Sequence, residues 1–122
     1  MTEKTEYSTR IILVGGHPKN YAYPFHEQTR SGQILRRILD RNHLIGKFVI
    51  IDLWQTELEE AKGELSDFQI KFLKNKNNKV IALGKWVYNC MKKYQIECEY
   101  LPHPASRRGK DIEKLEVGLI LA

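Results

Sequence analysis

The 122-residue chain is poor in sulfur, with two cysteines, Cys90 and Cys98, and two methionines. Two cysteines make no metal-ligand pattern. They can pair, but two free buried thiols in a reducing compartment are the expectation. The four histidines show no ligand spacing with a third partner, so no metal is expected. No apolar run is long enough to span a bilayer, and Met1 to Arg10 is polar with no signal-peptide core. No membrane association is expected; the default is a cytosolic or intracellular monomer. Internal repeats, linkers and low-complexity segments are missing too.

The rest of the composition is ordinary for a soluble domain: 42% hydrophobic and 29% charged residues. The length fits one domain, residues 1–122, with a modest core. Its first nine residues are polar and are expected to fray. The formal net charge is +5, with a pI near 9.2. Such a balance suits a polyanionic partner, DNA or a nucleotide, without requiring one. Nothing in the sequence points to a protein partner.

Four short apolar runs alternate with helix-like segments. Ile11-Ile12-Leu13-Val14, Phe48-Val49-Ile50-Ile51 and Val80-Ile81-Ala82-Leu83 are apolar throughout, as in buried parallel strands. Ile96 to Leu101 is shorter in apolar content and reads as an edge strand. Gln33 to Arg41 has Ile34, Leu35, Ile38 and Leu39 on one face and charges on the other. Thr29 or Ser31 is its N-cap. Leu53 to Ala61 is ambiguous. Ser66 to Lys74 reads as a helix with Phe68, Ile70, Phe72 and Leu73 inward, and Lys85 to Tyr94 as one carrying Trp86, Val87, Cys90 and Met91. Asp111 is expected to cap the last helix. The alternation predicts an α/β fold, a three-layer α/β/α arrangement around a four-stranded parallel sheet. Ligands in such folds bind beyond the carboxyl ends of the strands.

Two stiff loops follow predicted strands. One is Gly15-Gly16-His17-Pro18-Lys19-Asn20; the other is Leu101-Pro102-His103-Pro104-Ala105-Ser106-Arg107-Arg108-Gly109-Lys110. Proline fixes its own φ and biases the preceding residue towards extended geometry, so each histidine is held by its loop. Gly15 and Gly16 permit a sharp turn and close approach of a ligand. The second loop adds three cations within four positions.

The order of these pieces resembles the uracil-DNA glycosylase superfamily. The matching segments are Gly15-Gly16-His17-Pro18, Pro24-Phe25, Ser31-Gly32-Gln33-Ile34-Leu35, Val80-Ile81-Ala82-Leu83-Gly84 and Leu101-Pro102-His103-Pro104-Ala105, spanning residues 11 to 110. The resemblance implies a short member of that family, in which a base flips from DNA into a pocket at the strand ends. It implies that Phe25 stacks on the base and that the His103 imidazole stabilises charge on the departing base. Ser106, Arg107, Arg108 and Lys110 would then contact the DNA backbone. No cofactor is implied, and two cysteines are too few for the iron–sulfur cluster that some members carry.

Two positions depart from the family pattern. The first loop ordinarily carries Asp, Asn or Glu at its second or third place; here stand Gly16 and His17. A neutral His17 can orient or deprotonate water, since its unperturbed pKa is about 6.5. Glu27 or Asp52 can supply the missing negative charge. The second strand ordinarily ends in Asn; the match here is Asp52. An ionised Asp only accepts hydrogen bonds, so it favours an amino group such as cytosine N4 over uracil. Each residue also has an ordinary alternative. His103 can cap a turn, Asp52 can form one, and Phe25 can belong to the core rather than offer an exposed ring. Arg36, Arg37 and Arg41 read as solvated helix positions. The implied function is a DNA glycosylase for a flipped pyrimidine. The alternatives are a nucleic-acid-binding module without chemistry and an enzyme of free nucleotides.

Overall fold

The parallel sheet forms where the apolar runs lie. A computed structural model describes residues 10–16, 23–54 and 56–122. Strands β1 (Arg10–Gly15), β2 (Phe48–Asp52), β3 (Asn78–Leu83) and β4 (Glu99–Leu101) make one sheet in the order β2-β1-β3-β4. Every neighbouring pair is parallel. Parallel neighbours need crossover connections, and helices supply them. These are α1 (Arg30–Arg41), α2 (Glu57–Lys62), α3 (Asp67–Leu73), α4 (Lys85–Lys93) and α5 (Gly109–Leu121).

Strand alternation divides the core into two layers. Leu13, Ile81 and Leu83 face one side, where α1 contributes Leu35, Ile38 and Leu39 and α5 contributes Leu115 and Leu119. Ile12, Val14, Val80 and Ala82 face the other, against Leu73 of α3 and Val87, Cys90 and Met91 of α4. Each fully buried aliphatic side chain is worth roughly 1.5–3 kcal/mol. The result is the three-layer α/β/α fold expected from the alternation. None of the described helices is long and apolar enough to cross a membrane. Cys90 is buried and Cys98 half-buried; both are free, and burial raises both thiol pKa values.

Several local readings need correction. β2 is an edge strand rather than a buried one, and its Val49 is 43% exposed. Apolarity there marks a strand but not its place in the sheet. Of Ile96 to Leu101, only Glu99–Leu101 pairs. Ile96 turns into the core instead, its N–H donating to Met91 O at 2.9 Å after Gln95 takes a φ of 60°. Phe68, expected inward, is 77% exposed. Ser66 caps α3 through the Gln69 N–H, which puts Phe68 in a first turn beside a cleft of about 290 Å³ rather than over the sheet. Trp86 is likewise exposed in the first turn of α4. The ambiguous stretch contains α2, capped by Thr56.

Arg41 is not simply solvated. Its guanidinium grips Glu116 of α5, with Nε donating to Oε2 at 2.9 Å, while Asn42 Nδ2 donates to the same oxygen at 2.7 Å. These donors hold the Glu116 carboxyl down at about 2. The shift is a depression, so the stabilisation is complete above the ordinary carboxylate range and is lost as pH falls towards 2. Melting curves between pH 5 and pH 2 are expected to fall less steeply for Glu116→Gln than for the wild type; equal slopes would contradict the coupling of α1 to α5.

Candidate functional site

The chain runs from β1 outward to β2, then returns across β1 to β3. The order therefore reverses between β1 and β3, and the crevice beyond that point is where open α/β sheets bind ligands. Both strands end in glycine. Gly15 closes β1, and Gly84 follows β3 with a φ of 101°. A Cβ on Gly15 would lie 2.5 Å from Phe25 Cε2, and one on Gly84 would lie 3.2 Å from His103 Cδ2. The two rings thus sit on the ends of the two central strands. Their centroids are 6.0 Å apart and their planes tilted by 46°.

His103 is held from several directions. Pro102 and Pro104 on either side of it are buried. The Gly84 N–H donates to Leu101 O at 2.9 Å and the Ser106 N–H to His103 O at 3.0 Å. The Ala105 N–H donates to Nδ1 at 3.0 Å. An occupied Nδ1 lone pair puts the proton of the neutral ring on Nε2. Burial holds the imidazole pKa below its ordinary value, because a charged ring would lose solvation. The site therefore offers a neutral N–H donor.

Phe25 is not the exposed ring that its loop context implied. It is 8% exposed and belongs to the core layer with Leu13, Leu35 and Leu83. The missing Cβ of Gly15 gives it room to sink. Its backbone has a φ of 53°, in the left-handed region that costs a non-glycine residue roughly 1–2 kcal/mol. Arg36 Nε donates to Phe25 O at 3.0 Å and holds that geometry. Gly32 is needed beneath it, since a Cβ there would come within 1.9 Å of His26 O. Arg36, read as solvated, is therefore a structural partner of the site; it also lies over the Tyr23 ring at 5.5 Å. Such backbone strain is commonly stored at functional sites.

Asp52 pairs with Gly15 in the β1–β2 register, so it shares the Phe25 side of the sheet. Its carboxylate makes no hydrogen bond or ion pair among the described residues. Gln69 Nε2 donates to the backbone oxygens of Asp52 and Leu53 at 3.3 and 3.0 Å, fixing the strand end. β2 and β4 stand three strand spacings apart, about 14 Å. The sheet brings Gly15, Phe25, Asp52 and His103 to one face and one end, with Asp52 and His103 at opposite margins. Glu27 lies off this line. It accepts from Tyr23 Oη on the surface, which keeps its carboxyl below the usual range. His17 lies outside the described residues.

The basic loop is more ordered than a solvated cluster. Ser106 Oγ donates to Asp111 Oδ2 at 2.7 Å and accepts from the Arg108 N–H at 3.2 Å. Its hydroxyl proton is thus already engaged inside the loop. Asp111 is not the cap of α5; Arg108 holds that position, and Asp111 sits in the first turn. Arg107, Arg108 and Lys110 are exposed and make no ion pair among the described residues. Arg30, at the start of α1, reaches the same loop through Ala105 O at 3.4 Å. Helices α4 and α5 both begin here without a side-chain cap, unlike α1, α2 and α3. Open helix N-termini add to the positive potential of this end. A cleft of about 830 Å³ lies at the opposite end of the sheet, between Lys74 to Val80 and Gln95 to Glu99. It contains none of the residues above, so size alone does not mark the site.

Set against protein families, curated proteins and solved structures, the chain matches none. In an NMR titration, the His103 ring is expected to be neutral at pH 7, protonated on Nε2, and to titrate below an ordinary histidine. Titration at or above an ordinary histidine pKa would contradict the burial described here.

Proposed function

We propose that this strand-end site takes a pyrimidine nucleotide of DNA and hydrolyses its N-glycosidic bond, as the resemblance to the uracil-DNA glycosylases implies. The observation that carries the reading is the juxtaposition of His103 and Phe25 over Gly84 and Gly15, at the point where the strand order reverses. Phe25 walls one side of the base. The His103 Nε2–H donates to a base carbonyl oxygen and binds the negative charge that gathers there as the bond breaks. A neutral donor suits this task because it needs no solvated charge in the site.

Asp52 gives the base edge an acceptor on the same face. Being acceptor-only when ionised, it favours a base with an amino group, such as cytosine or a modified cytosine. Arg30, Arg107, Arg108 and Lys110 hold phosphates around the loop, with the open ends of α4 and α5 adding to the field.

Oligonucleotides carrying one uracil, cytosine or modified cytosine, single-stranded or duplex, test the reading after alkaline treatment. A cut strand at that base is expected. His103→Ala is expected to lower the rate on the order of 10²–10³-fold, as loss of one charge-binding donor does. Reversal of Arg107 and Arg108 to Glu is expected to weaken binding and to flatten its salt dependence, each lost phosphate contact removing about 0.9 from the log–log slope. Salt-dependent binding with no cut at any base would reassign the site to nucleic-acid binding alone.

A further inference from the structure

Helix α2 turns the wrong residue inward. It reads Glu57-Leu58-Glu59-Glu60-Ala61-Lys62, and its leucine is 63% exposed. None of its residues is fully buried, and the one that is half-buried is Glu60. Helices ordinarily bury apolar residues and leave carboxylates in water. Breaks of that rule are expected at functional or strained positions. The break here does not come from a poorly formed helix. Thr56 Oγ1 caps its start by accepting from the Glu59 N–H at 3.1 Å, and Gly63 closes its end with a φ of 66°.

The inward carboxylate goes to a specific place. A Cβ on Gly16 would lie 3.0 Å from Glu60 Oε2. Gly16 follows Gly15, on which Phe25 rests. The carboxylate therefore fills the volume that a side chain at position 16 would take, at the tip of β1. Phe25 and His103 lie on one side of that tip. Glu60 and Trp54, the latter 3.6 Å from the same Cβ position, lie on the other.

We propose that Glu60 is the carboxylate that serves hydrolysis at this site, delivered by α2 because Gly15 and Gly16 bring none of their own. The inference rests on reading the site as an N-glycosidic hydrolase. In the reaction, the bond from the sugar C1′ to the base nitrogen breaks and its electron pair leaves with the base, where the His103 Nε2–H binds the charge. C1′ is left with oxocarbenium character, which a nearby carboxylate opposes. A water oxygen then bonds to C1′ and gives a proton to Glu60. That proton returns through solvent to the base. The products are a neutral free base and a sugar bearing a 1′-hydroxyl. Of the other carboxylates, Asp52 ends the neighbouring strand, where the reading above gives it the base edge, and Glu27 lies on the surface with Tyr23.

The test compares wild type, Glu60→Gln, Glu60→Ala and the exposed control Glu57→Gln on the oligonucleotide that the wild type cuts best, with melting temperatures measured in parallel. Both Glu60 variants are expected to lose rate by about 10²–10⁴-fold, the usual range for a lost acid–base group, while Glu57→Gln keeps it. Melting temperatures are expected to stay at the wild-type value. Sodium formate, a free carboxylate small enough for the vacated space, is expected to restore part of the rate to Glu60→Ala and none to His103→Ala. Glu60 variants that cut at the wild-type rate overturn this inference and leave the glycosidic reading standing. A lost rate with a lowered melting temperature and no formate rescue assigns Glu60 to holding the loop, and overturns it as well. A wild type that cuts no strand overturns both.

Discussion

The two central strands end in residues without side chains, and the organisation of the upper end follows from that. At Gly15 the vacant volume takes the Phe25 ring, and at Gly84 it takes His103. At Gly16 it takes the carboxylate of Glu60. Three groups from three different loops or helices thus converge on the tips of β1 and β3. A single methyl group at 15 would strike the Phe25 ring, and one at 32 would strike the His26 carbonyl. Close approach of these groups to the strand tips characterises this end of the sheet.

That arrangement depends on a rigid base. β1 lies between β2 and β3, and its residues 12–15 are fully buried, as are residues 80–83 of β3. Both faces of these strands meet helices, so the strand tips are fixed by two core layers at once. The edges are looser. β4 contributes three residues, and β2 leaves Val49 in solvent. Phe25 and His103 sit over the stiff middle, and Asp52 and the basic loop sit over the margins. Positioning within a fraction of an ångström is easier to keep on such elements than on loops.

Much of the fold was legible because strand runs and helix periodicity are local properties. Ile11 to Val14 and Val80 to Leu83 announce buried strands, and the βα alternation fixes a parallel sheet. Which run lies at an edge is not local. Phe48 to Ile51 is as apolar as its neighbours, and only the order β2-β1-β3-β4 leaves it outside. The strand-end arrangement of the candidate site was legible in part for the same reason. Histidines between prolines and glycines at strand ends are visible in the chain, and His103, Phe25 and Asp52 do share one face. The burial of Phe25 was not visible, because it depends on a glycine ten positions earlier. Arg36 and Glu60 were missed for a related reason. Each looks like one more charge on a helix, and each acquires meaning only through a partner far along the chain, the carbonyl of Phe25 for one and the vacancy at Gly16 for the other.

Position 25 carries two demands that no single amino acid satisfies. Its backbone sits in the left-handed region, which favours glycine or asparagine. The space over Gly15, between Leu13 and His103, calls for a large flat hydrocarbon. Phenylalanine answers the second demand at the expense of the first. Substitutions here therefore split into two families with opposite defects. Glycine relaxes the chain and opens a hole beside the imidazole, while β-branched residues such as isoleucine supply bulk and worsen the strain. A sequence drifting at this position has no improving step in either direction, so the aromatic ring is held in place by the lack of alternatives as much as by its own contacts.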